Sequence, residues 1–361
     1  MKNRLLIKLL YAPYNIASMP AVTMDYLNQR DDILAKGVSI EDHHFTNYGK
    51  DKKKYWKTFN VYTNLSKPIS FIRNLLKAEY YLIKRILWAD IIIWQWDTKV
   101  YLPHYFLIWI LKKPILIEWV GSDIRIPEIV IANSPFYKSE LENGNYTYTK
   151  ESYKRSLSIQ RKFKFLNAIP LVAPEMSLFL DRSLFPEFYL MYQRIRVEDY
   201  PVKYPDLNCK IPVIVHAPSA TGGKGTRFVR IAIENLKLKY DFKYIEIINK
   251  THEEAILAIA GADIFLDQFL VGSYGAACCE AMAMGKPAFC YLIEPVIELL
   301  PKECPIVNAN PDTLESILKE YLMDSNLRYQ TGVRSRTYVE NYHEAGRVTT
   351  KLVALIKKIL Y

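Results

Sequence analysis

Gly272-Ser-Tyr-Gly-Ala-Ala-Cys-Cys-Glu280-Ala-Met-Ala-Met-Gly285-Lys-Pro287 is the most informative segment for the fold class. It predicts a helix that begins after Gly275 and ends at Gly285-Lys-Pro287, because glycine followed closely by proline stops a helix. Apolar strands are predicted on either side, at residues 264–266 and 288–292. A strand, a helix and a second strand in this order form one βαβ unit with parallel strands.

Glu280 is the only charged residue inside this apolar helix. A carboxylate that loses its water costs several kcal/mol unless a group hydrogen-bonds it. We therefore predict that Glu280 faces either a paired hydrogen-bond donor or a ligand rich in hydroxyl groups, such as the ribose of a nucleotide. A solvated helix face is the alternative, but the neighbouring side chains leave little polar surface.

The length of the chain predicts two domains. Its 361 residues exceed the size at which a single hydrophobic core stops growing, and half of them are apolar. The predicted limits are 1–205 and 206–345, followed by a helix over 346–361 that packs back on the first domain.

The best apolar run, 101–120, contains three charged residues, so no membrane span is predicted. Lys8 cuts the first apolar run, so we expect no cleaved signal peptide and a cytoplasmic location.

The charge of the chain is concentrated in its first part. Residues 1–205 contain 30 Lys and Arg against 20 Asp and Glu, whereas 206–361 contain 18 of each. All six tryptophans also lie in this basic part. Such a surface fits the anionic head groups on the inner face of a membrane, or an anionic acceptor, and it is equally consistent with a solvated surface. Nucleic acid is not expected as a partner, since the sequence contains no recognised binding motif.

The cysteines and histidines do not predict a metal site. The five cysteines are odd in number, lack metal-ligand spacing and in three cases lie within apolar segments, which suits reduced thiols in a core. Only His43 and His44 are adjacent, and a solvated turn explains them better than a ligand pair.

The order of the predicted elements indicates an α/β protein. In the first part, strands are expected at 5–10, 89–94 and 114–120, helices at 21–28, 69–87 and 102–111, and loops with an edge strand over 42–57. After a poorly readable stretch at 134–205, with the crossing between domains at 198–210, the second part alternates strictly. Strands are expected at 213–216, 244–248, 264–266 and 288–292, and helices at 226–238 and 252–260, the latter with a Thr251–Glu254 capping box. This alternation predicts a doubly wound parallel sheet.

Ligands of such sheets bind outside the carboxyl ends of the strands. By position, residues 94–97 and 121–125 are therefore candidates in the first part. In the second part, the loop 216–226 contains Gly222, Gly223 and Lys224 between a strand and a helix, where backbone N–H groups and an ammonium can meet an anion. The loop is neither a Walker A nor a dinucleotide motif, and taken alone it also fits a tight turn. Its predicted place beside Glu280 favours a diphosphate site next to a ribose site.

The segments 216–224, 263–287 and 308–360 together resemble the second half of family 4 glycosyltransferases, which have the GT-B fold and build bacterial surface polysaccharides. The first half resembles the family more weakly. The resemblance implies two Rossmann-like domains whose parallel sheets face a central cleft. It also implies an enzyme that moves a sugar from a nucleoside diphosphate donor to a glycan or lipid-linked acceptor, with retention of configuration.

The resemblance assigns roles to individual residues. Glu280 matches the second glutamate of the family's Glu-x7-Glu motif and would bind the ribose, while Lys224 would neutralise the diphosphate. No metal or cofactor is implied, because the lysine takes the place of a cation. The implied donor-binding residues are Ser219, Gly223, Lys224, Tyr274, Gly275, Ala276, Ala277 and Glu280.

Three positions depart from the family pattern. Gly272 stands where the first glutamate of the motif contacts the donor sugar, Ser219 where an arginine binds phosphate, and Val120 where a histidine precedes Gly-Ser-Asp. Asp123 is then the nearest candidate for a catalytic contact with acceptor or sugar, and it is equally well explained as a helix N-cap. These departures leave two alternatives open: a degenerate partner that only binds a nucleotide sugar, and a GT-B nucleotide-sugar epimerase.

Overall fold

The computed structural model describes residues 6–41, 55–61, 68–97 and 103–361. Within these ranges the chain forms two parallel α/β sheets with helices between the strands. The predicted fold class of two Rossmann-like domains is thereby confirmed. The pair His43-His44 and most of the predicted loop region 42–57 lie outside the described residues, but the edge strand expected there is present at Trp56–Thr58.

The first sheet has seven parallel strands in the order β3-β2-β1-β4-β5-β6-β7. The order reverses between β1 and β4, where Tyr11 pairs with Ile93. β1, β4 and β5 are almost wholly buried, as expected for strands covered by helices on both faces. The strands are β1 (Ile7–Ala12), β2 (Ile33–Ser39), β3 (Trp56–Thr58), β4 (Ile91–Gln95), β5 (Ile115–Trp119), β6 (Ile169–Val172) and β7 (Tyr189–Leu190).

The helices that accompany the first sheet agree with the prediction to within two residues at the four places where one was made. The helix expected at 21–28 begins earlier, at Met19, with a proline in its first turn, where a missing N–H is tolerated. The α-helices are Met19–Leu27, Pro68–Trp88, Pro103–Ile110, Tyr153–Phe165 and Ala345–Leu360, with short 3-10 turns at Ile16–Ser18 and Pro174–Phe179.

The second sheet has five parallel strands in the order β12-β11-β10-β8-β9. Its order reverses between β8 and β10. The strands are β8 (Val213–His216), β9 (Lys243–Glu246), β10 (Ile264–Leu266), β11 (Ala288–Cys290) and β12 (Val307–Asn308). The α-helices are Pro127–Asn133, Pro135–Glu142, Thr221–Lys224, Thr226–Lys237, His252–Ala260, Ala276–Ala283, Glu294–Ile297, Leu314–Met323 and Ser325–Tyr342, with a 3-10 turn at Val197–Asp199.

The chain divides into two compact units. The first contains Met1–Arg125, Tyr153–Arg194 and Ala345–Tyr361, and the second contains Ile126–Ser152 and Ile195–Glu344. The units depart from the predicted limits of 205 and 206 in two places, since the chain leaves the first unit after Arg194 and an earlier excursion, Ile126–Ser152, belongs to the second.

Side-chain contacts explain why this excursion belongs to the second unit. Phe136 packs edge-on against the rings of Phe228 and Tyr291, with centroids 6.1 and 5.9 Å apart. The guanidinium of Arg227 lies 2.7 Å from the buried carboxylate of Glu140. None of these contacts follows from a local periodicity, so the sequence pattern did not predict them.

The last helix, Ala345–Leu360, packs within the first unit. Its apolar face, which includes Leu352, Val353 and Ile356, joins the core formed by β1, β2 and the helix Met19–Leu27. Lys357 Nζ donates to Asp32 Oδ2 at 2.6 Å. Hydrogen bonds from Arg30 and Lys357 lower the pKa of Asp32 to about 2.

No helix in the described ranges is long and apolar enough to span a bilayer.

Candidate functional site

The carboxyl ends of β8 and β10 lie side by side at the point where the order of the second sheet reverses. The next strands in the chain extend the sheet in opposite directions, so right-handed crossovers place the following helices on opposite faces and leave a crevice. His216, the last residue of β8, is buried and joins the two loops: its ring nitrogens lie 2.9 Å from Leu266 O and from Thr226 Oγ1. Burial lowers the pKa of His216 to about 4, so its ring is neutral at pH 7.

Lys224 and Gly275 meet in this crevice through Asp267. Lys224 Nζ donates to Asp267 Oδ1 at 2.6 Å, and the N–H of Gly275 donates to Asp267 Oδ2 at 3.0 Å. Gly275 is the N-cap of the helix Ala276–Ala283, which carries Glu280. The Lys224 ammonium therefore lies at the positive end of that helix, but it is already paired with a carboxylate.

Charge and burial act against each other on Lys224. Burial disfavours the ammonium, but the Asp267 carboxylate outweighs this effect and raises the pKa of Lys224 above its ordinary value. The lysine side chain is 16% exposed and the Asp267 side chain 2%. The lysine is therefore the more accessible member of the pair, and its ammonium is charged at neutral pH.

The glycines beside Lys224 are explained by packing within the second unit. A Cβ on Gly222 would lie 2.2 Å from Asn145 O, and one on Gly223 would lie 2.7 Å from the ring of Tyr148. Residues 221–224 form a short helical turn that ends at Gly225 in the left-handed region. The loop is therefore close to the Asn145–Tyr148 segment, and its glycines are required whether or not an anion binds there. Ser219, at the mouth of the loop, is exposed.

Glu280 accepts two hydrogen bonds. The Tyr200 hydroxyl donates to Oε1 at 3.0 Å, and His252 Nε2 lies 2.8 Å from the same oxygen. The Glu280 side chain is 14% exposed. The hydrogen bond to Glu280 raises the pKa of His252 above the ordinary value. Burial, together with the Glu280 carboxylate, raises the pKa of Tyr200. Of the two surroundings predicted for Glu280, the paired donor is present, and neither bond uses Oε2.

Both partners of Glu280 are themselves held in place. His252 is the first residue of the helix His252–Ala260, and the predicted Thr251–Glu254 capping box is present at its start. Tyr200 is held by Arg336, whose guanidinium donates to Tyr200 O at 3.1 Å and to Ala283 O at 2.6 Å. The side chains around Glu280 are thus fixed by a helix cap and by an arginine that bridges two chain segments.

The remaining predicted donor residues differ in exposure. Ala276 and Ala277 are partly exposed at the start of the helix, where the first N–H groups have no partner within the helix. Tyr274 is buried, with its hydroxyl 3.3 Å from His343 Nε2. Gly272 has φ +76°, and a Cβ there would lie 2.4 Å from Ile293 Cγ2. A side chain at position 272, including the glutamate expected from the resemblance, has no room.

Asp123 lies in the first unit and is tied to its own loop. Its carboxylate accepts hydrogen bonds from the backbone N–H groups of Gly121, Ile124 and Val120 at 2.9, 3.1 and 3.3 Å. Burial raises its pKa to about 6 despite these bonds. The carboxylate closes the turn at 121–124. The alternative role of a helix N-cap is wrong, because the next helix begins at Pro127 with Ile126 as its N-cap. Elsewhere on this edge, Lys162 and Asp97 form an ion pair after β4.

Three residues of the site were not singled out from the sequence: Asp267, Tyr200 and His252. The position of Asp267 in the sequence could have indicated a site residue, since it directly follows a predicted strand whose carboxyl end faces the crevice. His252 carried a weaker signal, as the residue after a helix cap. Tyr200 lies in the least readable stretch, and no sequence pattern marked it as a site residue.

In the described ranges, no group of three or more His, Cys, Asp or Glu side chains is arranged to hold a metal ion.

Several solved structures are similar to this chain over nearly its whole length. Sucrose-phosphate synthase from Thermosynechococcus elongatus is 12% identical, with a TM-score of 0.62 over 98% of this chain and 99% of that one. Anabaena HepE in complex with UDP and glucose is 11% identical, with a TM-score of 0.59 over 98% and 100%. A putative UDP-N-acetylglucosamine 2-epimerase from Listeria monocytogenes is 12% identical, with a TM-score of 0.53 over 98% and 96%.

These similarities show the GT-B fold predicted from the sequence. No family model matches the chain, and no curated protein matches it by sequence.

Proposed function

We propose that this chain is a glycosyltransferase that moves a sugar from a nucleoside diphosphate donor to a glycan or lipid-linked acceptor, with retention of configuration, in the synthesis of a cell-surface polysaccharide. One observation carries the proposal: the Lys224 ammonium lies at the N-terminus of the helix that carries Glu280. Glu280 lies five residue steps beyond Gly275 along the helix, about 7.5 Å along the axis. A nucleoside diphosphate separates its terminal phosphate from its ribose hydroxyls by a length of this order.

The charges at both ends suit such a ligand. The helix N-terminus and the ammonium attract the diphosphate, and each charge-assisted hydrogen bond contributes about 1.5–3 kcal/mol. Glu280 Oε2 is used by neither Tyr200 nor His252 and can accept from a ribose hydroxyl. A crystallised structural neighbour, HepE, binds UDP and glucose, which supports a nucleotide-sugar ligand for this fold.

The proposed reaction does not require a protein base. The bond between the anomeric carbon and the diphosphate oxygen breaks, the acceptor oxygen bonds that carbon on the same face, and the acceptor proton passes to the departing diphosphate. The protein then contributes positioning and stabilisation of the growing negative charge. Lys224 and the first N–H groups of the Ala276–Ala283 helix are the groups placed for this role. Asp123, bound to its own loop, serves as a structural group of the first unit.

The experiment that tests the proposal is a thermal-shift panel of the purified chain with UDP, GDP, ADP, CMP and dTDP. A ligand at about 100 times its dissociation constant stabilises the folded chain by roughly 2.7 kcal/mol. We expect one nucleotide to raise the melting temperature, and Glu280→Ala and Lys224→Ala to blunt that shift. Glu234→Ala and Lys239→Ala, two exposed residues of the second unit, are the matched controls. No shift with any nucleotide would contradict the proposal.

The binding-only alternative is favoured by one observation: the Lys224 ammonium at the proposed phosphate site is already paired with Asp267. Sugar transfer or donor hydrolysis that is abolished by Glu280→Ala would exclude it.

The epimerase alternative rests on fold similarity alone. Incubation of the chain with UDP-N-acetylglucosamine, followed by analysis of the sugar, tests it directly.

We also propose that the first unit contacts an anionic membrane from the cytoplasmic side. The helix Pro68–Trp88 exposes an apolar stripe at helical spacing, and its one acidic residue, Glu79, is buried against His104 at 2.7 Å. Exposed basic residues flank the stripe, so the face suits anionic lipid rather than a neutral surface. The stripe consists of Ile69, Ile72, Leu76, Tyr80 and Leu87, and the basic flank of Arg73, Lys77 and Lys84.

Sedimentation with vesicles tests this contact. The wild-type chain should bind phosphatidylglycerol vesicles and not phosphatidylcholine vesicles. Each basic residue near an anionic surface contributes about 1 kcal/mol, so replacing the three residues of the basic flank by glutamine should weaken binding about 100-fold. The same replacement at Lys237, Lys239 and Lys243, exposed residues of the second unit, is the control. Equal loss in both triple variants would reject this face as the contact.

A further inference from the structure

Gly272 cannot carry the carboxylate that the resemblance places there. Its φ of +76° lies in the left-handed region, and the nearest atoms to a Cβ would be three carbons of Ile293 at 2.4, 2.9 and 3.1 Å. Ile293 cannot easily withdraw, because it is buried and its N–H donates to Gly272 O at 3.1 Å. The loop has therefore been built without a side chain at this position.

Asp267 supplies a carboxylate to the same loop from a more rigid place. It directly follows β10, and its N–H continues the pairing to β11 by donating to Phe289 O at 2.9 Å. Its two oxygens are divided between the Lys224 ammonium and the Gly275 N–H. The carboxylate is thus fixed by the sheet and binds both the cation and the helix N-terminus.

The two partners of this ion pair differ in exposure to solvent. The Asp267 side chain is nearly inaccessible, whereas the Lys224 side chain is partly exposed. The carboxylate uses one of the three N–H groups of the ammonium, so the other two remain for a group arriving from the solvent side. The backbone at Lys224 is also held, because the Phe269 N–H donates to Lys224 O at 3.0 Å.

We infer that Asp267 is a positioning residue of the donor site, which holds the Lys224 ammonium at the N-terminus of the Glu280 helix so that it meets the phosphates of the donor. This inference rests on the proposed function and adds to it a residue to which the resemblance assigned no role. Asp267 acts through Lys224 and does not itself contact the nucleotide. Its contribution is therefore specific to the phosphates and absent from the nucleoside.

The test compares a nucleoside diphosphate with its nucleoside by calorimetry, using UDP and uridine or the corresponding pair for the base that the panel selects. Asp267→Asn removes the charge but leaves an oxygen that can accept from Gly275 N–H. We expect this variant to bind the diphosphate about tenfold more weakly than the wild type, while its affinity for the nucleoside changes by less than about twofold.

A double-mutant cycle separates positioning from a general structural effect. In a Lys224→Met background, Asp267→Asn should change diphosphate affinity by less than about twofold, because the residue through which it acts is gone. This double variant also leaves neither charge buried without its partner, which protects the fold. Asp263→Asn is the matched control: Asp263 lies at the opposite end of β10, where its carboxylate accepts from Val213 N–H at 2.8 Å.

The possible results are distinct. Tighter diphosphate binding by Asp267→Asn would overturn the inference, because it would mean that the carboxylate only competes with phosphate for Lys224. Equal losses for diphosphate and nucleoside, or an undiminished effect in the Lys224→Met background, would overturn it as well. A wild-type chain that binds none of the nucleotides would refute the proposed function itself, and the inference with it.

Discussion

Replacing Gly272 by alanine tests whether its left-handed backbone and the neighbouring Ile293 exclude a side chain at this position. The left-handed backbone at φ +76° costs about 1–2 kcal/mol for a residue with a Cβ. The new Cβ would lie 2.4 Å from Ile293 Cγ2, and overpacking of a tight core costs a further 1–3 kcal/mol or so. The expected total is about 2–5 kcal/mol, a large part of the stability of an ordinary domain.

Urea unfolding followed by far-UV circular dichroism measures this loss, because all six tryptophans lie in the first unit and would not report on the second. The same substitution in an Ile293→Ala background should cost only about 1–2 kcal/mol, since the overpacking is relieved and the backbone cost remains. Gly261→Ala is the matched control. Gly261 has φ −83°, and its nearest neighbouring atom would lie 3.5 Å from a Cβ, so we expect a change within about 0.5 kcal/mol.

Two results would refute this reasoning. A Gly272→Ala variant as stable as the Gly261→Ala variant would mean that the loop relaxes at little cost. An equal loss with and without the Ile293 side chain would mean that the backbone alone excludes a side chain. In the first case, the absence of the glutamate at position 272 would have no steric cause, and the inference about Asp267 would lose one of its supports.

Three further predictions concern stability. Glu175 is buried, which raises its pKa to about 7; the folded chain therefore loses stability as the pH rises from about 4.3 through 7, and Glu175→Gln should be about 1–3 kcal/mol more stable than the wild type at pH 8 and equal to it at pH 4 in urea unfolding. Thr251→Ala removes the acceptor for the Glu254 N–H and should cost about 1 kcal/mol in the same assay. Arg328 is buried and donates to three backbone carbonyl groups, so Arg328→Met should cost about 3–5 kcal/mol and lower the melting temperature.

Each of these three stability predictions has its own control. For Glu175, whose Oε2 has no hydrogen-bond partner among the described residues, a stability difference independent of pH would show that charge is not the cause. For Thr251, serine should retain most of the stability, because it keeps the capping oxygen; a loss equal to that of alanine would contradict the capping role. For Arg328, the exposed Arg334 on the same helix is compared, and equal losses at both positions would remove the argument from burial.

Local signals predicted much of the fold. The helix His252–Ala260 and the strands β8 and β10 have the predicted bounds, because a capping box and short apolar runs are set by residues close together in sequence. The strict alternation of such elements in the second part then left a doubly wound parallel sheet as the expected arrangement. The strand after the Glu280 helix is shorter than predicted, since only Ala288–Cys290 pairs in the sheet.

Contacts between distant segments could not be predicted in the same way. The glycines beside Lys224 suggested a backbone open to an anion, yet they accommodate Asn145 and Tyr148, about 75 residues earlier in the chain. The partner of Lys224 is 43 residues away, at Asp267. Neither pairing leaves a periodic pattern, because a period describes which face of an element is buried and not which loop meets it.

The two surroundings predicted for Glu280, a paired donor and a hydroxyl-rich ligand, turn out to be compatible. A carboxylate offers about four acceptor sites on two oxygens. Both Tyr200 and His252 bond Oε1, which fixes the side chain and satisfies part of its hydrogen-bonding capacity without using Oε2. A side chain held in this way loses little rotamer freedom when a ligand binds, so the affinity of a hydroxyl for Oε2 is reduced less by ordering. The pairing that explains how Glu280 is tolerated in an apolar helix therefore also leaves Oε2 for the ribose hydroxyl of the proposed donor.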